Sequence, residues 1–153
     1  MYRDLDALTD GGTQTRILLN SVESGANPWG STDYLNQKYR IRRTGAELYE
    51  YMGSRSCHSK TLVIDDRISV VGSFNFDMRS AYLDTEMMLV IDSPELNAHL
   101  RQYIRGYMER SRYVLPDGTQ GQGPEFALRE MPVAKQIVYL LLRLLTPLGR
   151  HLL

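Results

Sequence analysis

An α/β sandwich is the fold class this sequence predicts. Strand-like runs rich in β-branched and aromatic residues alternate with amphipathic helix signals, and turn residues bound nearly every run. At 153 residues the chain fits one compact domain with a usable core rather than two full domains, and no internal repeat points to a solenoid.

The elements follow in chain order. Residues 3–11 predict the end of a helix, stopped by Gly11-Gly12, and Thr15 to Asn20 (T-R-I-L-L-N) a short buried strand. Ser21 to Ser31, rich in Ser, Gly, Asn and Pro, predicts an irregular loop. Thr32 or Asp33 is then placed to cap a helix running to about Arg43, with Gly45 as its stop. Glu47–Met52, Cys57–Ile64, Ile68–Gly72 and Thr85–Ile91 predict strands, with Asp65-Asp66-Arg67 turning a hairpin. Ser93 and Pro94 start a helix that carries Leu96, Leu100, Ile104, Tyr107 and Met108 along one face, suited to cover the sheet. The run from Pro116 to Pro124 has the composition of a flexible linker. The expected organisation is therefore a body over 1–115, a linker over 116–131, and an apolar amphipathic helix over 132–153.

Composition narrows the class of partner. Lys plus Arg number 18 and Asp plus Glu number 18, so no overall field draws the chain to nucleic acid or an anionic surface. A single cysteine, Cys57, excludes an internal disulfide and leans toward a reducing compartment. Neither a signal-peptide pattern nor a run of about 20 uncharged apolar residues is present. The cluster Lys38, Arg40, Arg42 and Arg43 reads first as a solvated helix face. The tail from Pro132 is interrupted by Lys135, Arg143 and Arg150; it suits either a membrane interface or packing against another protein surface.

One constellation carries chemistry. If Cys57–Ile64 is a strand, His58 and Lys60 share a face, pairing an imidazole with an ammonium that can hold a phosphate oxygen. The next strand ends in Gly72-Ser73-Phe74-Asn75, where a hydroxyl and an amide can donate to phosphate oxygens. Asp65 has the opposite parity and sits at the turn, which favours a structural role in the hairpin. Asp77 and Arg79 read as an ion pair bracing the loop, and Cys57 as a buried small apolar residue facing away from His58.

His58-x-Lys60, Asp65, then Gly72-Ser73-x-Asn75 resembles the H-K-D signature of the phospholipase D superfamily, and the run from Gly72 to Glu86 (G-S-F-N-F-D-M-R-S-A-Y-L-D-T-E) is similar to its bacterial cardiolipin synthase branch. The similarity extends from about Thr15 to Arg110. The resemblance implies a phospholipase D-like α-β-α sandwich with a mixed sheet flanked by helices. It further implies displacement at phosphorus through a phosphohistidine, with no metal or other cofactor. By the same resemblance the catalytic residues would be His58, Lys60, Asp65 and Glu86. His58 would be general acid/base or, as second choice, nucleophile. Glu86 would orient His58, and Lys60, Ser73 and Asn75 would hold the phosphate oxygens.

Members of that family carry two such motifs or pair two single-motif chains. Here there is one, since neither His99 nor His151 has a lysine two residues on. The chain therefore resembles the C-terminal half of a longer synthase. Its partners would be a phosphatidylglycerol-like phospholipid and a second H-K-D half, supplied from an N-terminal region or by a homodimer, at the cytoplasmic face of the bacterial membrane. A homodimeric nuclease and a folded but inactive half-domain are the alternatives.

Overall fold

The computed structural model describes residues 2–149, with the side chains of residues 148 and 149 left aside; Arg150 and the rest of the predicted tail lie outside the described residues. The chain is mixed α/β, with helices flanking sheets as expected, but the body divides into two compact units rather than one. The first contains residues 2–57 and 107–147, the second residues 58–106.

The first unit is built on a four-stranded mixed sheet in the order β1-β2-β6-β7, formed by β1 (Arg16–Asn20), β2 (Glu47–Tyr51), β6 (Ser111–Val114) and β7 (Gln120–Gln122). β1 and β2 are parallel and the other two pairings antiparallel. The segment predicted as a flexible linker thus contains a strand. Leu115 N–H donates to the Thr119 carbonyl and Gly118 takes the left-handed conformation (φ 87°) that closes the β6–β7 hairpin. The Gly, Gln and Asp content that suggested a linker serves a tight turn instead.

Before β1 lies helix α1 (Tyr2–Asp10), and between β1 and β2 lies α2 (Pro28–Arg43). α2 begins a turn earlier than predicted, because the Asn27 side chain accepts from Trp29 N and Gly30 N while Pro28 occupies the first turn. Thr32, predicted as a cap, instead lies one turn inside and returns its hydroxyl to the Pro28 and Trp29 carbonyls. The core of this unit is Val22, Ile41, Ala46, Leu48, Tyr51, Met52, Val114 and Tyr139. Within it Glu50 is also buried, 1 % exposed. Its carboxylate receives Tyr34 Oη at 2.6 Å, Lys38 Nζ at 2.8 Å and Arg112 Nε at 2.6 Å. Arg112 in turn grips Glu23 with both terminal nitrogens.

Helix α5 (Val133–Gly149) closes the first unit. Tyr139 and Thr146 are buried, Lys135 donates to the Glu23 and Gly25 carbonyls, and Arg143 donates to Asn36 Oδ1. The helix turns these polar groups toward its own unit and leaves Ile137, Leu140, Leu141, Leu144 and Leu145 exposed.

The second unit is a three-stranded antiparallel sheet in the order β3-β4-β5, formed by β3 (Thr61–Ile64), β4 (Ile68–Gly72) and β5 (Met88–Asp92). A short helix α3 (Met78–Tyr82) interrupts the β4–β5 connection. Helix α4 (Pro94–Met108) is tied to the β3–β4 hairpin: Asn97 Nδ2 donates to the Ile68 carbonyl, Ser93 N–H to the Arg67 carbonyl, and Arg101 reaches the Asp65 carbonyl and the Asp66 carboxylate.

Candidate active site

Three chain segments converge at one end of the β3-β4-β5 sheet. The segment predicted as the first half of a strand does not pair, because the Asn20 side chain holds both the N–H and the carbonyl of Cys57 at 2.7 Å and takes the place of a neighbouring strand. β3 therefore starts at Thr61, and His58 and Lys60 precede it rather than lie on it. Cys57 is half-buried rather than buried. One ladder-like bond continues past the strand end, from Gly72 N–H to the Lys60 carbonyl at 3.1 Å, and it fixes Lys60 opposite the end of β4.

The register carries the alignment further. Gly72 pairs with Met88, and Ser73 N–H donates to the Met87 carbonyl at 3.0 Å. The segments just before β3, just after β4 and just before β5, which carry His58 and Lys60, Ser73 and Asn75, and Glu86, thereby meet at one sheet end. Gly72 is required by space rather than by φ, since a Cβ there would overlap the Met87 carbonyl oxygen and reach the Met88 sulfur.

Glu86 organises this end of the sheet. One carboxylate oxygen accepts from the Ser73 hydroxyl and the other from Ser80 Oγ at 2.6 Å, while Ser73 Oγ accepts from Met87 N–H at 3.1 Å. The Ser73 hydroxyl and then that of Ser80 hold the Glu86 carboxyl below the usual glutamate range against an opposing desolvation, with the Lys60 charge adding least. The family resemblance assigned Glu86 to His58; here its two oxygens are engaged by serines. The His58 imidazole is exposed and has no hydrogen-bond partner among the described residues, and Lys60 Nζ donates to the His58 carbonyl at 2.9 Å. The Asn75 side chain is exposed, with its backbone N–H held by Ser80 Oγ at 3.1 Å.

Asp65 is not brought to this site. It lies at the opposite end of β3, about 13 Å along the strand at about 3.3 Å per residue, in the left-handed conformation (φ 49°) that turns the hairpin. The Asp77–Arg79 ion pair does not form either. Asp77 caps α3 by accepting from Ser80 N–H at 2.8 Å, and Arg79 pairs with Asp84 at 2.9 Å. Residue reading missed the role of Ser80. The signal was present, since Asp77 followed three residues later by Ser80 is the spacing of a helix cap and its N3 partner.

Exposed imidazole, ammonium, hydroxyl and amide groups gathered at one sheet end form an anion-receiving surface with a group able to transfer a proton or attack. Among the described residues no set of three His, Cys, Asp or Glu side chains is placed to hold a metal ion. The fold around this surface is that of the phospholipase D class. A Salmonella typhimurium phospholipase D family member, Nuc, superposes with a TM-score of 0.60 at 19% identity, covering 74% of this chain and 72% of that one. Phosphatidylserine synthase of Haemophilus influenzae Rd KW20 gives 0.66 at 16% identity, covering 99% of this chain and 38% of that one.

The sequence specifies the branch. Residues 1–108 match the family described as "Cardiolipin synthase, PLD-like domain", and the chain belongs to that family. Cardiolipin synthase A of Erwinia tasmaniensis is 31% identical over 104 residues, 67% of this chain and 21% of that protein. That of Yersinia pseudotuberculosis (strain IP 31758) is 36% identical over 90 residues, 59% of this chain and 17% of that protein. The chain thus spans about a fifth of the length of the curated relatives it matches.

Proposed function

We propose that this chain supplies one half of the active site of a phospholipase D-type phosphatidyltransferase or phosphodiesterase acting on a phospholipid. The observation that carries the reading is the convergence of His58, Lys60, Ser73, Asn75 and Glu86 at the end of one antiparallel sheet.

In this reading two histidines act on either side of phosphorus. A ring nitrogen of one attacks, forming a P–N bond as the P–O bond to the leaving alcohol breaks, and the other histidine donates its proton to that oxygen. An acceptor hydroxyl then returns its proton to the second histidine as its oxygen displaces the first, breaking the P–N bond and restoring both imidazoles. His58 takes the acid/base role. Lys60 and Asn75 stabilise the equatorial oxygens, and Ser73 joins them by exchanging its bond to Glu86 for one to the phosphate. Glu86, whose oxygens each keep a further lone pair, receives the His58 N–H once substrate draws the imidazole in. The second imidazole comes from another H-K-D half.

A phosphatidylglycerol-like lipid is the substrate this reading favours. The cardiolipin synthase branch and the net charge of zero support it. The domain would lie peripherally at the cytoplasmic face of the bacterial membrane, with the exposed leucine face of α5 as its apolar contact; no described helix is long and apolar enough to cross a bilayer.

The test is to incubate the chain with phosphatidylglycerol vesicles over a range of protein concentrations, following cardiolipin and phosphatidic acid by mass spectrometry and the oligomeric state by sedimentation. Turnover rising with dimer content and lost in His58→Asn is expected. Turnover that survives His58→Asn overturns the assignment. The single motif also favours a second reading, a phosphodiesterase assembled from two copies of the chain. Cleavage of an oligonucleotide in place of lipid, weakening steeply with salt, would select it.

A further inference from the structure

Ser80 is one of the buried polar side chains of the second unit, 6% exposed, and its hydroxyl joins segments that the sequence keeps apart. Oγ donates to Glu86 Oε1 at 2.6 Å and accepts the Asn75 N–H at 3.1 Å, while its own N–H caps onto Asp77 at 2.8 Å. Ser73 completes the arrangement by donating to the other Glu86 oxygen. A hydroxyl is the smallest side chain that both donates and accepts, and this position uses both capacities. Without it Glu86 loses one of two donors, and the Asn75 N–H loses its acceptor where the chain leaves the sheet.

We propose that Ser80 is a positioning residue of this site, its buried hydroxyl locking the Asn75 backbone and the Glu86 carboxylate into one arrangement so that Ser73 and Asn75 face the same phosphate position. The proposal rests on the reading of His58, Lys60, Ser73, Asn75 and Glu86 as a phosphate site, but its structural half stands apart from turnover. The charged and titratable groups on the segments around Glu86 are His58 and Lys60, before β3, and Asp77, Arg79 and Asp84 on the β4–β5 connection. Arg79 and Asp84 neutralise one another, and Asp77 is engaged in capping. The Ser73 and Ser80 hydroxyls, with a smaller contribution from the Lys60 charge, hold the Glu86 carboxyl low against desolvation.

The experiment compares the full chain with Ser80→Ala and Ser80→Thr by NMR. It measures hydrogen exchange of the Asn75 amide, pH titration of the Glu86 side-chain carboxyl carbon, and Asn75 shifts on addition of inorganic phosphate. In Ser80→Ala the Asn75 amide should exchange about tenfold faster, as loss of one hydrogen bond allows. The Glu86 midpoint should move up toward the ordinary glutamate value, and phosphate-induced shifts should shrink. Ser80→Thr keeps the hydroxyl and should restore all three; if Ser80→Ala does not fold, that variant decides alone. Unchanged exchange and midpoint in Ser80→Ala, or a threonine variant that behaves like alanine, overturns the positioning role. If exchange and midpoint move as stated but the unmutated chain shows no phosphate-induced shift, Ser80 holds the loop and the phosphate-site reading is what fails.

Discussion

Replacing Glu50 by glutamine removes the charge from the most enclosed ion cluster of the first unit while keeping the shape of the side chain. The Glu50 side chain is 2% exposed, whereas its partners Lys38 and Arg112 are 28% and 31% exposed. Removing one member of a buried pair costs about 3–5 kcal/mol, because the other charge is left dry and unpaired. Here that cost is moderated. Arg112 keeps its two bonds to Glu23, and both cations reach water, so the lower end of the range, about 3 kcal/mol, is expected. Against a total stability of about 5–15 kcal/mol this is a large fraction. Urea unfolding at pH 7 followed by far-UV circular dichroism reads it directly.

The acid limb supplies an independent check. Burial alone would raise the Glu50 carboxyl, but hydrogen bonds from Arg112, Lys38 and Tyr34 outweigh it and hold the group below the usual carboxylate range. A group with a depressed folded pKa contributes stability that is complete above its unfolded value, about 4.3 for glutamate, and is lost as pH falls through the folded value. The gap between wild type and Glu50→Gln should therefore narrow below about pH 4. A gap under about 1 kcal/mol at pH 7, the worth of an exposed pair, would refute the argument. So would a gap independent of pH.

Four further substitutions test other steps. Gly72→Ala should open the end of the β4–β5 pairing, at a cost of about 1–3 kcal/mol with loss of Ser73 N–H protection. The same change at Gly106, where a Cβ meets nothing within 4 Å, should stabilise helix α4 by up to about 1 kcal/mol, and thermal unfolding of the two variants should separate them. Asp65→Gly should leave both stability and turnover near wild type, because the position asks for a left-handed backbone and lies at the far end of β3; a large loss of turnover would return Asp65 to the site. Asn27→Ala should lower the stability of α2 by about 1 kcal/mol, measured by the midpoint of thermal unfolding, and no change there would remove Asn27 as the cap.

Strands β2 and β4 were legible as aromatic and β-branched runs and β1 as a short aliphatic run, each ending at turn residues, and the Asp65–Arg67 turn because three polar residues separate two such runs. The candidate site was legible for a different reason: His58, Lys60, Ser73, Asn75 and Glu86 flank strands whose antiparallel register brings their ends together. Where reading failed, a distant partner decided the outcome. Asn20, 37 residues away, strips the Cys57 segment from β3. Arg112, 62 residues from Glu50, turns a glutamate on a strand into a buried hub. Local pattern carries no information about either contact. At α2 the local signal is Asn27-Pro28, a capping side chain followed by a residue suited to the first turn, and it outranks Thr32.

The second unit shows the same limit in a sharper form. Alternation along β3, β4 and β5 defines two faces but does not say which of them is covered. The register places Leu62, Ile64, Met88 and Val90 on one face, all exposed; on the other, Ser69 is fully buried while Leu89 is exposed. Asn97 of helix α4 is likewise buried beside this sheet, and among the described residues Ser69 Oγ and Asn97 Oδ1 find no hydrogen-bond partner. A unit that shields polar groups while presenting its aliphatic face to water gains less from burial than its composition offers, at roughly 25 cal/mol for each Å² left wet. The candidate site sits on this second unit. The bonds that fix the site, from Glu86 to Ser73 and Ser80 and from Gly72 to Lys60, are polar and local to one sheet end, so the geometry of the site depends on hydrogen bonds more than on the packing beneath it.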